Sequence, residues 1–323
     1  MSDWFNRKKC RNALRFAALF FTFIFATKSY ARPDMTPLGP NIADKGSSFY
    51  HFSVSQFDSP DGKRHYRVWT GVPNKTPPAS GFPILYLLDG NAVMDRISES
   101  LLKKLSENNP PVIVAVGYQT VEPFALNARS FDYTPPVTAS GKPCQQQRGR
   151  ECGGSPFFGD LLEKTIAPVA EQGLKIDRRK RGIWGHSLGG IYVLNAYLSS
   201  SLFTVFYSTS PTLNREYVGL LNTLGAVTEQ KYDNKQLWFI EGSPATSENP
   251  QAPAADVQDK IRATLSQLHS RGLPAAWWLY PELTHGQTFN AGFQQALLNM
   301  SEDPGNNKPS PRWQRATPVY VSR

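Results

Sequence analysis

The pentapeptide Gly185-His186-Ser187-Leu188-Gly189 constrains this chain more than any other feature. It lies between a short apolar strand candidate, residues 181–184, and a stretch, residues 190–200, in which Ile191, Leu194 and Leu198 recur at helical spacing. Between a strand and a helix, G-x-S-x-G places a serine on a sharp bend with its hydroxyl standing clear of the chain. The residues two positions either side must then be small, because neighbouring backbone approaches closely, and Gly185 and Gly189 are expected to meet that need. The pattern also arises by chance, so its meaning depends on what accompanies it.

A serine hydroxyl is a poor nucleophile until a base takes its proton, and imidazole has the intrinsic pKa for that task. His285 follows a buried strand candidate, residues 275–279, in a loop over 281–286 that precedes an amphipathic helix over 289–300. A serine on a strand-to-helix bend with its histidine far downstream is the chain order of the α/β-hydrolases. Ser187 and His285 are therefore the catalytic candidates. The backbone N–H of Leu188, directly after the nucleophile, is one expected donor to the oxyanion. Asn91, at the end of the apolar run 83–88, is the second, with Gly90 letting the chain turn inward; a plain β-turn at 89–91 is the alternative. For the acid, Glu241, Glu248 and Asp256 follow the strand candidate 237–240, none within a distinctive motif. A triad and a Ser–His dyad both stay open. His51, His65 and His269 show no metal-ligand spacing, and His186 is expected to pack behind the serine.

The rest of the chain has a βα rhythm. Residues 51–57 and 66–72 alternate around the turn signature Asp58-Ser59-Pro60-Asp61-Gly62 and predict a hairpin. Residues 83–88 and 112–116 are nearly continuous apolar runs, as in parallel strands covered on both faces, with a helix over 92–107 between them. Further strands are expected at 203–207 and 237–240, and helices at 159–172, 215–224 and 255–269. Together these predict an α/β fold, a doubly wound, mostly parallel sheet with helices on both faces. Residues 119–158, rich in proline and without periodicity, predict a long loop over the carboxyl ends of the strands, where ligands bind in such sheets.

The 323 residues, 40% of them hydrophobic, suit one large domain over residues 32–303, opened by an extended lead-in over 32–48 and followed by a flexible tail over 304–323. Arg7, Lys8, Lys9, Arg11 and Arg15, an apolar run over 16–26 and Ser29-Tyr30-Ala31 predict a signal peptide over 1–31 cleaved after Ala31. An uncleaved inner-membrane anchor competes with it, although the run is short against the ~20 residues that span a bilayer. Residues 1–31 hold six of the 35 Lys and Arg and one of the 26 acids, so the remainder carries 29 basic against 25 acidic side chains, or +4. Without a nucleic-acid motif, that mild positive charge fits an anionic substrate and predicts no nucleic-acid partner. Cys144 and Cys152, close together in an exported chain, are expected to form a disulfide; two free thiols are the alternative.

Three segments add to this frame: Leu87-Leu88-Asp89-Gly90-Asn91-Ala92-Val93-Met94-Asp95, Arg129-Ser130-Phe131-Asp132-Tyr133-Thr134-Pro135 and Thr284-His285-Gly286-Gln287-Thr288-Phe289-Asn290. With the pentapeptide, they resemble the esterase branch of the α/β-hydrolases, which includes S-formylglutathione hydrolases, mycolyltransferases and the exported esterases of trilactone catecholate siderophores. The last group is the most similar, over about residues 50–303. The resemblance implies hydrolysis of the trilactone of enterobactin or salmochelin in the periplasm, without a metal or other cofactor. It also implies a substrate-binding role for Arg129, whose planar fork suits catecholate oxygens or an ester carbonyl; a salt bridge to Asp132 or another acid that holds the loop is the alternative. Arg148 and Arg150, on the expected disulfide loop, would add positive field to the site; a solvated charge cluster is the favoured reading. Another exported carboxylesterase or acyltransferase, or a non-catalytic ligand-binding relative, is the competing function.

Overall fold

The computed structural model describes residues 33–302 except 146–148, so the signal or anchor over 1–31 and the tail over 304–323 lie outside the described residues. Eight strands form one sheet: β1 Tyr50–Asp58, β2 His65–Pro73, β3 Phe82–Leu88, β4 Val112–Tyr118, β5 Ile176–His186, β6 Val205–Thr209, β7 Gln236–Glu241 and β8 Ala275–Leu279. Their spatial order is β1-β2-β4-β3-β5-β6-β7-β8. The predicted hairpin pairs β1 with β2 from Tyr50 opposite Pro73 to Asp58 opposite His65. β2 runs antiparallel to β4, and every later pairing is parallel. β3 and β4 are buried along their whole length, because side chains alternate between two apolar layers. Ile84, Tyr86 and Leu88 enter one layer, while Leu85 and Leu87 enter the other with Trp184, Trp238 and Trp278. This is the α/β-hydrolase sheet.

Four expectations are corrected. The helix over 92–107 is two helices, Gly90–Arg96 and Glu99–Ser106, because Ser98 starts the second by accepting the Leu101 N–H on its side chain. The helix placed over 215–224 is confined to Leu220–Gly225. The segment 119–158 is not one loop, for it contains the helix Leu126–Tyr133. That helix has no apolar stripe to betray it; polar side chains dock it. Asp132, 1% exposed, accepts from the hydroxyls of Tyr66 and Tyr118, each at 2.9 Å, and pairs with Arg64 at 3.2 Å. Finally, the lead-in is not extended throughout, since it holds the short helix Ile42–Lys45; ahead of that helix, Leu38 N–H bonds the Val121 carbonyl, and Pro33 and Asp34 reach the cavity described below.

β5 passes at Ser187 into the helix Leu188–Ser199. Three non-glycine residues with positive φ, Asp89, Ser187 and Ser210, directly follow β3, β5 and β6, so backbone strain gathers at one edge of the sheet. A Cβ on Gly185 would lie 2.3 Å from the Gly189 carbonyl oxygen, so that position admits only glycine. Gly189 was expected to be equally constrained and is not: its nearest neighbour would be Leu88 Cδ1 at 3.6 Å. The second tight position is Gly190, whose Cβ would lie 3.0 Å from Pro211 Cα. Gly185→Ala is expected to destabilise by ~1–3 kcal/mol and to displace the serine. Gly189→Ala should stay within about 1 kcal/mol of wild type, as for an ordinary helical exchange. Thermal melts of both variants check this contrast.

Candidate active site

Ser187 has φ 60° and ψ −115°, and its N–H donates to the Thr209 carbonyl at 3.0 Å. Its Oγ is hydrogen-bonded to Thr212 Oγ1 at 3.0 Å, while the Thr212 N–H donates to the Ser187 carbonyl. Among the described residues no hydrogen bond joins Ser187 Oγ to His285, although both line one cavity of about 610 Å³. A catalytic hydrogen bond that is open without substrate and closes with it is common. Thr212 was not singled out from sequence, because its contact with the serine depends on how β6 sits beside β5.

His285 is buried between β8 and the helix Thr288–Ser301. Its N–H donates to Asn249 Oδ1 at 3.0 Å. Its carbonyl accepts from His186 Nε2 at 2.8 Å and from Thr288 Oγ1 at 2.7 Å. The two imidazole centroids are 4.7 Å apart. His186 thus packs behind the serine, as expected. Burial, followed by the nearby His285, holds its pKa well below the usual imidazole value, so the ring is neutral and carries its proton on Nε2 to meet the carbonyl.

Burial, and after it the Arg129 charge, pushes the His285 imidazole down to about 4. A base must be neutral to accept a proton, and a depressed pKa keeps it neutral down to lower pH. The acid limb of kcat/KM for a small neutral ester should therefore fall near pH 4, well below the unperturbed histidine value; titrating activity through the acid range checks this.

None of the three acid candidates bonds to His285. Glu241 ends β7 wholly buried, with neither carboxyl oxygen partnered, and burial lifts its pKa well above the carboxylate range. Asp256 pairs with Lys260 at 3.4 Å on an exposed helical turn, and Glu248 is exposed at the cavity mouth. His285 Nδ1 is buried without a partner among the described residues. No carboxylate among these, then, orients the His285 ring.

The Leu188 and Asn91 N–H groups lie in the first turns of their helices, where no intrahelical carbonyl reaches them, and neither has a partner among the described residues. The Asn91 side chain pins its turn to the end of β4, accepting the Tyr118 N–H at 2.7 Å and donating to the Tyr118 and Thr120 carbonyls at 3.0 Å.

Arg129 differs from its expected role. Its guanidinium is buried against Asp89, Nε to Oδ1 at 2.7 Å and Nη2 to Oδ2 at 2.8 Å, and Nη2 also reaches the His186 carbonyl at 3.5 Å. Its charge is spent on the positive-φ turn after β3, and the partner is Asp89, not Asp132. It still lines the cavity. Arg150 lines the cavity and forms no ion pair among the described residues, which favours the alternative in which it adds positive field to the site over the solvated cluster. Arg148 lies outside them. Cys144 and Cys152 are joined in a disulfide two residues from Arg150.

This sheet order, strained serine, buried histidine and paired free N–H groups define an α/β-hydrolase of the serine esterase class. The chain belongs to the esterase family described as "Putative esterase", whose profile matches residues 59–320. It is 54% identical, over 90% of its length and 93% of the relative's, to the Apo-salmochelin esterase of Escherichia coli O6:H1, strain CFT073. The Ferri-bacillibactin esterase BesA of Bacillus subtilis, strain 168, is 30% identical over 69% of this chain and 80% of its own. The solved structure entitled Enterobactin Hydolase IroE Complex with DFP superposes with a TM-score of 0.74 at 55% identity, over 82% of this chain and all of that one.

Proposed function

We propose that this chain hydrolyses the ester bonds of trilactone catecholate siderophores of the enterobactin and salmochelin type. The observation that carries the reading is one cavity of about 610 Å³ that holds Ser187, His285 and the cation Arg150 in a chain 54% identical to an Apo-salmochelin esterase. The volume falls within the range of small-molecule sites. Ser187 Oγ leaves Thr212, gives its proton to His285 and attacks an ester carbonyl. The N–H groups of Leu188 and Asn91 receive the oxyanion, and His285 gives the proton to the departing alkoxide of the lactone. Water then enters and attacks the acyl carbon as His285 takes its proton, and His285 passes that proton to Ser187 Oγ as the Oγ–acyl bond breaks, releasing the acid and restoring the free serine. Incubating the protein with enterobactin and its glucosylated and ferric forms, and following products by mass spectrometry, tests this. Linear esters that disappear with Ser187→Ala support it; an intact trilactone overturns it.

The basic and apolar N-terminus and the disulfide support export to the periplasm. The mature protein is expected to begin near Arg32 and to carry the Cys144–Cys152 bridge. Intact mass with and without reductant and alkylation reads both. A retained N-terminus would favour the membrane anchor, and two alkylatable thiols without reductant would refute the bridge.

A further inference from the structure

The base of a hydrolytic serine site must present one nitrogen to the serine, and an acid bonded to the other nitrogen ordinarily fixes that orientation. His285 has no such bond among the described residues, where its Nδ1 is buried without a partner. Its peptide is held on both sides instead. The N–H donates to Asn249 Oδ1 at 3.0 Å, and the carbonyl accepts from two side chains, His186 Nε2 at 2.8 Å and Thr288 Oγ1 at 2.7 Å. Each holder is itself held. Asn249 Nδ2 donates to the Ser243 carbonyl at 3.2 Å and to its Oγ at 2.9 Å, and Thr288 Oγ1 lies 2.8 Å from Ser210 Oγ. The His186 ring packs against the His285 ring.

We propose that His186, Thr288 and Asn249 are positioning residues that orient the catalytic histidine through its backbone, in place of a carboxylate on its ring. Two peptide atoms fixed from opposite sides set the direction of the Cα–Cβ bond, and packing against His186 limits the rotation that remains. A lone histidine on a free loop would sample many rotamers, of which few face the serine, and that disorder would cost rate. His186 directly precedes Ser187 in the chain, so the same contact registers base against nucleophile. The His285 carbonyl takes both contacts at once, because its oxygen has two lone pairs and each donor uses one.

The test uses the full protein and a small neutral aryl ester, so it does not depend on the siderophore reading. Ser187→Ala run in parallel isolates the chemistry: residual activity there would indict the serine mechanism and not the clamp. Thr288→Val, which keeps the shape but removes the donor, is expected to lower kcat by about 10-fold to 10²-fold with KM within about twofold, a part of the roughly 10²–10⁴ a general base contributes. Thr288→Ser, which restores the hydroxyl, should recover most of the loss. Asn249→Leu, which removes the acceptor on the other side of the peptide, provides an independent arm and should lower kcat in the same way. A folded Thr288→Val or Asn249→Leu with kcat within twofold of wild type would overturn the proposal. So would equal losses in Thr288→Val and Thr288→Ser that follow a drop in Tm, for these would mean packing alone.

Discussion

Ser187→Ala and His285→Ala are each expected to lower ester hydrolysis by about 10³-fold to 10⁶-fold while the fold persists, the range seen when either half of a nucleophile–base pair is removed. Stability should barely move with Ser187→Ala, because the side chain loses one hydroxyl contact, to Thr212. His285→Ala leaves three peptide hydrogen bonds in place, since its N–H and carbonyl, not its ring, make them. The double variant should be little worse than either single, as the two groups act as one unit. Turnover of an aryl ester with thermal melts on all three variants decides the matter.

Arg129→Ala should be the most destabilising of the charge removals, by ~3–5 kcal/mol, because it strands the buried Asp89 carboxylate without its partner. Asp89 stands at φ 53° immediately before the helix that carries Asn91, so loosening it also disturbs a proposed oxyanion donor. The loss of kcat/KM should therefore be similar for the anionic siderophore and a small neutral ester, with a lower Tm. Arg150→Ala should behave in the opposite way, sparing Tm and the neutral ester while lowering kcat/KM for the siderophore. The same three measurements on both variants separate the roles, and a siderophore-selective loss at Arg129 would restore its expected recognition role.

The strands were legible because burial on both faces leaves an unbroken apolar record, as at 83–88 and 112–116. The serine and histidine were legible because local chain context, strand to turn to helix and strand to loop, surrounds each of them. The helix Leu126–Tyr133 was not, since long-range polar contacts from Arg129 and Asp132 dock it and leave no periodic stripe. Thr212, Asn249 and Thr288 carry no motif for the same reason. Their work is done on backbone groups or hydroxyls brought near only by the finished sheet. Gly189 shows the converse error, in which a pattern position was credited with a constraint that belongs to its neighbour Gly190.

Reaction with diisopropyl fluorophosphate, followed by peptide mapping, tests the central claim most directly, because the reagent labels a hydroxyl activated by a base far faster than an ordinary one. One adduct on Ser187, absent in Ser187→Ala and formed far more slowly in His285→Ala, is the expected result. Labelling that persists in Ser187→Ala, or an adduct that maps to Thr212 or any other residue, would contradict the account.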